Sequence, residues 1–158
     1  MNNADVAMVH ASGKEKMKVI VPSGYYDSAP AWANSGKQII WFSNREGLKS
    51  YATSGRSQND VYSLFFNQED WDEFNLSEDD FALMQAIEEA NTVDEKEEEQ
   101  LENANEKSDD KEDDSSEEDT QEKLNFEWDD LDERIAKLTI HSSALADAVL
   151  SADATKLY

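Results

Sequence analysis

The chain has 158 residues, 37 acidic against 14 basic, for a formal net charge of −23. Thirty of the acids lie between Glu69 and Glu133, among only four lysines, so that window carries −26 and the rest sums to +3. This balance excludes a basic phosphate-binding footprint and so argues against nucleic acid as a partner. The absence of cysteine excludes disulfides, thiolate metal sites and a cysteine nucleophile.

In chain order, residues 5–21 predict a hairpin. Val6 and Met8, then Met17, Val19 and Val21, alternate on either side of Ser12-Gly13-Lys14. Pro22 to Ala29 reads as a loop and Ala31 to Ala33 as a short strand. Asn34-Ser35-Gly36-Lys37 is a turn in which Gly36 takes positive φ at little cost. Gln38 to Ser43 is a strand with consecutive apolar positions, which predicts cover on both faces. Residues 44–59 form a long polar loop with Arg45, Lys49 and Arg56, and Val61 to Phe66 is the next strand. Ser77 is placed to cap a helix over about residues 78–90, with acids in its first turn and Phe81, Leu83, Met84 and Ile87 as its apolar stripe. Residues 91–122 carry too little apolar surface to offset ordering entropy, so disorder is expected there. Arg134 to Ile140 predicts a strand, His141 to Asp147 a loop and Ala148 to Leu150 another strand. The chain ends inside what reads as a strand, which suggests a fragment. No run approaches a membrane span and no signal-peptide pattern opens the chain.

Self-comparison reveals a repeat. Residues 32–40 align with 150–158, and the same offset of 118 pairs residues 19–21 with 137–139. A second offset of 55 pairs residues 5–9 with 60–64. The difference, 63 residues, falls where the acidic block sits. The unit is then four antiparallel strands, and repeated units of this kind describe β-propeller blades. The fold class expected is mainly β, a partial propeller with an acidic, partly helical and largely disordered insertion. Residues 1–21 would be the outer strands of one blade and 22–67 the inner three strands of the next. Residues 68–131 would be the insertion. Residues 132–158 would return as that blade's outer strand and begin the following blade.

The residues Asp27, Pro30, Trp32, Gly36, Lys37, Ser43, Asn44, Arg45, Gly47, Asp60 and Tyr62 follow a pattern that resembles the propeller repeat shared by TolB and tricorn-type proteases. Ala33-Asn34-Ser35 departs from that family's usual Ser-Pro-Asp turn. In the second copy Leu145, Leu150 and Ala154 stand where Asp27, Trp32 and Gly36 stand in the first. The insertion followed by Asp132, Arg134, Leu138 and Thr139, then by residues 142–153, is similar to one region of bacterial tricorn-like serine peptidases. The resemblance implies a propeller that scaffolds a protease domain lying outside these residues and gates peptide access to it. A non-enzymatic TolB-like envelope scaffold that binds protein partners is the alternative. It also implies a periplasmic or secreted parent, with a cytoplasmic one the alternative, and leaves a homo-oligomeric parent open.

No catalytic residue, cofactor or metal is assigned. No G-x-S-x-G elbow occurs, and the acidic run lacks the D-x-D-x-D-G loop of a calcium site. His10 ends a strand and reads as structural. Tyr25, Tyr26, Asp27 and His141 lie in loops that would share one face, where they either meet peptide or pack between blades. Pro30, Trp32, Gly36, Trp41, Asp60, Tyr62 and Leu150 read as structural, with Trp32 and Trp41 as core residues of successive strands. Residues 66–89 either bind a partner as an amphipathic helix or fold back over an exposed strand edge, with Trp71, Phe74 and Phe81 against it.

Overall fold

The computed structural model describes residues 3–49, 57–87, 90 and 124–158. The expectation for residues 91–122 lies outside them. The chain divides into two units, residues 1–71 with 124–158, and residues 72–123.

In the first unit, strands β1 (Val6–Met8) and β2 (Lys18–Val21) form an antiparallel hairpin. Strands β3 (Asp27–Ala33), β4 (Gln38–Ser43), β5 (Asp60–Phe65) and β6 (Ile135–Lys137) form a four-stranded antiparallel sheet in that order. The fold is therefore mainly β, and the long insertion interrupts only the β5–β6 connection.

Period-two alternation sorts the sheet's side chains. Ile39 and Trp41 on β4 share a face with Tyr62 and Leu64 on β5, and Phe66 follows on the same side. Val6, Ile20 and Val21 of the hairpin pack on this face and complete the main core with Leu131. Ile40, Val61 and Phe65 point to the other face and are also buried. Cover on both faces explains why β4 and β5 read as apolar runs. On the second face, Trp71 meets Phe65 edge-on at 5.4 Å.

The hairpin differs from strict alternation. A register shift between Val6 and Ala7 puts Ile20 beside Val21 in the core and leaves Val19 and Met17 exposed. Strand β3 begins at Asp27, four residues earlier than local pattern suggests, because Asp27 and Ser28 pair with Ser43 and Phe42. A bulge follows, with Ala29 at φ 50° before Pro30. The turn after β3 is a short 3₁₀ segment, Asn34–Gly36, with all three residues at positive φ. Gly36 sits at φ 93°, a left-handed conformation that calls for glycine, and a Cβ there would displace the Leu124 Cδ1 methyl at 2.8 Å.

Two helical stretches follow β5. Helix α1 (Gln68–Phe74), which residue pattern alone did not reveal, starts at a capping exchange. The Asp70 amide donates to Asn67 Oδ1, and Asn67 Nδ2 donates to the Asp70 carboxylate, both at 2.7 Å. In the second unit, residues 78–87 are helical, and Ser77 Oγ accepts from the Asp80 amide and donates to its carboxylate.

The returning chain also departs from expectation. Leu131–Arg134 is a 3₁₀ turn, and the strand spans only Ile135–Lys137. Arg134 is buried instead of strand-forming. Its guanidinium donates to the carbonyls of Phe65, Glu127 and Asp129. Near the C-terminus Leu150 and Leu157 form an antiparallel bridge, with Ala154 at φ 54° between them. Ala154 stands 118 residues after Gly36, so the two sequence copies share the same left-handed turn position.

The two tryptophans divide. Trp41 is 1 % exposed, stacks on Tyr62 and donates through Nε1 to Asp27. Trp32 is 54 % exposed, a correction to the expectation of two core tryptophans. It sits on the edge strand β3, where Phe66 and Phe126 cover only part of its ring. Trp41→Ala should therefore cost about 3–5 kcal/mol in a urea melt, and Trp32→Ala markedly less. Arg134→Met, which leaves three carbonyls without their donor, should lower stability by at least about 2 kcal/mol in the same assay.

Candidate functional site

The loop before β3 and the loop after β4 meet at one end of the sheet. The Asn44 amide donates to the Tyr26 carbonyl, and the Tyr26 amide donates to Asn44 Oδ1. Gly47 permits the tight start of the β4–β5 loop, since a Cβ there would fall 2.0 Å from the Gln58 carbonyl. These constraints bring Tyr25, Arg45 and Glu46 beside Tyr62 of β5 and Lys137 of β6, which are direct cross-strand partners. Together with the hairpin and the Leu131–Arg134 turn they line a cavity of about 760 Å³.

Two buried carboxylates organise this end. Asp27 accepts from Ser23 Oγ and from Trp41 Nε1. Asp60 is fully buried and accepts from Thr139 Oγ1 at 2.8 Å and Ser142 Oγ at 2.7 Å. Lys137 Nζ lies 3.2 Å from Asp60 and 2.8 Å from Glu46. Burial pushes the Asp60 carboxyl up, but the hydrogen bonds from Ser142, Thr139 and Lys137 outweigh it and hold the group below the ordinary aspartate value. The bond with Glu46, reinforced by Asp60, raises Lys137, and Lys137 in turn lowers Glu46. Burial, then the Glu46 charge, pushes the Tyr62 hydroxyl far above its usual value.

Arg45 differs from these paired groups. Its guanidinium lies over the Tyr62 ring at 4.4 Å and near the Tyr25 ring at 5.9 Å, while Lys49 covers Tyr25 at 4.5 Å. Among the described residues Arg45 has no ion pair, and its Nε is buried without a hydrogen bond, while the Tyr62 hydroxyl is buried beside the Glu46 carboxylate.

The sequence-predicted residues distribute unevenly. Tyr25 lines the cavity and is partly exposed. Tyr26 is exposed but outside the cavity lining, Asp27 is buried as an anchor, and His141 is exposed. Pro30 occupies the β3 bulge, and Leu150 its terminal bridge. The sequence reading placed Arg45 on this face but missed Glu46 and Lys137, whose pairing spans 91 residues. A second, aromatic cavity of about 700 Å³ lies between the hairpin and the sheet edge, walled by Trp32, Leu124, Phe126 and Trp128. His10 reaches its rim, bonded to Ser12 Oγ.

Among the described residues no group of three or more metal-ligating side chains comes together, and no helix is long and apolar enough to cross a membrane. No family model, curated protein or solved structure matched the chain.

The depressed Asp60 carboxyl sets a pH dependence. Its contribution is fully present above the unfolded aspartate pKa of about 3.9 and is lost as pH falls through the lower folded value. Stability measured by denaturant melts should therefore fall below about pH 4, and Asp60→Asn should flatten that fall while lowering stability at neutral pH.

Proposed function

We propose that this chain is a segment of a β-propeller that scaffolds a tricorn-like serine peptidase and gates the passage of unfolded peptides to it. One observation carries the reading. A four-stranded antiparallel meander packs face-to-face on a preceding hairpin, and a further turn with the same left-handed residue follows it at the repeat spacing. Blades of a propeller stack in this manner, each covering the face of the next. In this reading β3 is the innermost strand, and the acidic insertion occupies the outer β5–β6 connection, away from any channel.

The loops that hold Tyr25 and Arg45 then face the side of the ring on which ligands approach. Gating of this kind is geometric. A ring admits an extended chain and rejects a folded domain, so the segment needs no nucleophile of its own.

The test uses the full-length gene product. It should hydrolyse an unfolded fluorescent casein much faster than a folded protein of similar size, and a covalent serine-directed inhibitor should abolish the activity. A full-length protein that hydrolyses neither substrate would overturn the peptidase reading in favour of a TolB-like binding scaffold.

A further inference from the structure

We propose that copies of this chain join head to tail. The C-terminal strand pair of one copy adds to the free edge of β1 in another and completes a four-stranded blade. This rests on the blade reading of the repeat and is independent of the peptidase that the ring would serve.

The two ends of the chain each carry half of the four-stranded pattern. In the complete sheet, β5 and β6 pair Tyr62 with Lys137 and Ser63 with Ala136. The repeat offsets of 55 and 118 turn these into Ala7 with Val19 and Met8 with Lys18, which are pairs that β1 and β2 make. Likewise β3 and β4 pair Ala31 with Ile40, Trp32 with Ile39 and Ala33 with Gln38. The offset of 118 turns these into Val149 with Tyr158, Leu150 with Leu157 and Ser151 with Lys156. Leu150 and Leu157 do bridge, Val149 and Tyr158 exchange both backbone bonds, and the Ser151 amide donates to the Lys156 carbonyl. The N-terminal hairpin therefore has the register of an outer half-blade and the C-terminal pair that of an inner one. Among the described residues, neither has the ladder that β4 and β5 supply in the complete sheet.

The two joining strands are apolar and bare. Leu64 and Ile40 are 0 % and 5 % exposed in the complete sheet, and their counterparts Val9 and Tyr158 are 63 % and 75 % exposed. The β4–β5 ladder opposes Gln38 to Phe65, Ile39 to Leu64 and Ile40 to Ser63. The same offsets set Lys156 of the added copy opposite His10, Leu157 opposite Val9 and Tyr158 opposite Met8. The added pair also covers Trp32. Val6 packs on the first face of the β3–β6 sheet and is the counterpart of Val61, which points to that sheet's second face. By the same alternation the added pair turns Tyr158 and Val149, the counterparts of Ile40 and Ala31, toward the first face, where Trp32 walls the aromatic cavity with Met8. A head-to-tail contact closes into a ring or runs on as a filament. Each copy supplies one whole blade and two halves, so a ring of about four to eight blades takes two to four copies. The formal charge of −23 on each copy opposes the contact, so salt strengthens it.

The chain has no cysteine, so introduced pairs report the contact alone. His10→Cys and Lys156→Cys change exposed positions and are made as separate 158-residue proteins. They are mixed and oxidised in about 1 M NaCl, where the screening length is about 3 Å. The disulfide between positions 10 and 156 should form about ten-fold faster than the one between His10→Cys and Thr155→Cys, which is a residue out of register. By sedimentation the wild-type chain should be oligomeric, more so as salt rises. Val9→Asp should return it to the monomer with its far-UV circular dichroism unchanged. A wild-type chain that stays monomeric at high salt would overturn the proposal, a result that does not depend on any variant folding. So would equal cross-linking of the two pairs, His10→Cys homodimers in preference to the mixed product, or a disulfide that forms only within the double variant. Any of these leaves the hydrolysis of unfolded casein by the full-length product untouched. Loss of that hydrolysis with the in-register cross-link intact would sink only the peptidase reading.

Discussion

The sheet depends on how the chain returns to it after the insertion. Residues 66–134 separate β5 from β6, and closing a connection of that length instead of a short turn costs about 2 kcal/mol of chain entropy. Arg134 offsets this cost. Its buried guanidinium bonds the Phe65 carbonyl at the point where the insertion leaves and the Glu127 and Asp129 carbonyls where it returns. The Glu127 amide donates to the Phe66 carbonyl beside it, and Phe66 and Phe126 meet edge-on at 4.7 Å. Charge-assisted bonds to three carbonyls contribute more than the closure costs, so β6 adds to β5 as it would across a tight hairpin. The growth of closure cost with length is slow, which is why a large acidic block can sit in an ordinary β connection.

The same return positions the cavity. Lys137 reaches Asp60 and Glu46 only because β6 is in register with β5, and Thr139 and Ser142 satisfy the buried Asp60 just beyond. Asp27 does the equivalent for β3, accepting from Ser23 and from the Trp41 indole. Both are buried carboxylates whose several donors fix the geometry of the loops they join. Arg45 and Lys18, by contrast, are held against aromatic rings and make no ion pair among the described residues.

Much of the strand plan was legible in the residues. Gln38 to Ser43 and the β5 run are apolar at successive positions because both faces are covered, and Gly36 marks the turn between β3 and β4. Local pattern failed where non-local pairing intervened. The β3 strand is longer than its composition suggests because β4 supplies partners for Asp27 and Ser28 across a bulge. Helix α1 is short and its only signal was the Asn67–Asp70 cap. Asp60 and Tyr62 were readable as members of a motif, and Tyr25 as a loop residue on the same face. Their partners Lys137, Thr139 and Ser142 were not, since a sequence distance of about eighty residues carries no local trace.

Residue order alone settles the β periodicity, the left-handed turn position at Gly36 and the confinement of charge to one block, because each reflects short-range sterics or simple composition, whereas the left-handed Ala154 emerges only in the structure. Tertiary structure decides which tryptophan is core. Both have the same chemistry, but Trp41 lies on an inner strand under the hairpin, and Trp32 lies on an edge that only two phenylalanine rings approach. It likewise decides which cations pair: Lys137 meets two carboxylates only when β6 docks, whereas Arg45 is held against tyrosine rings with no ion pair among the described residues. Pairing and burial are set by distance in space, and folding creates that distance.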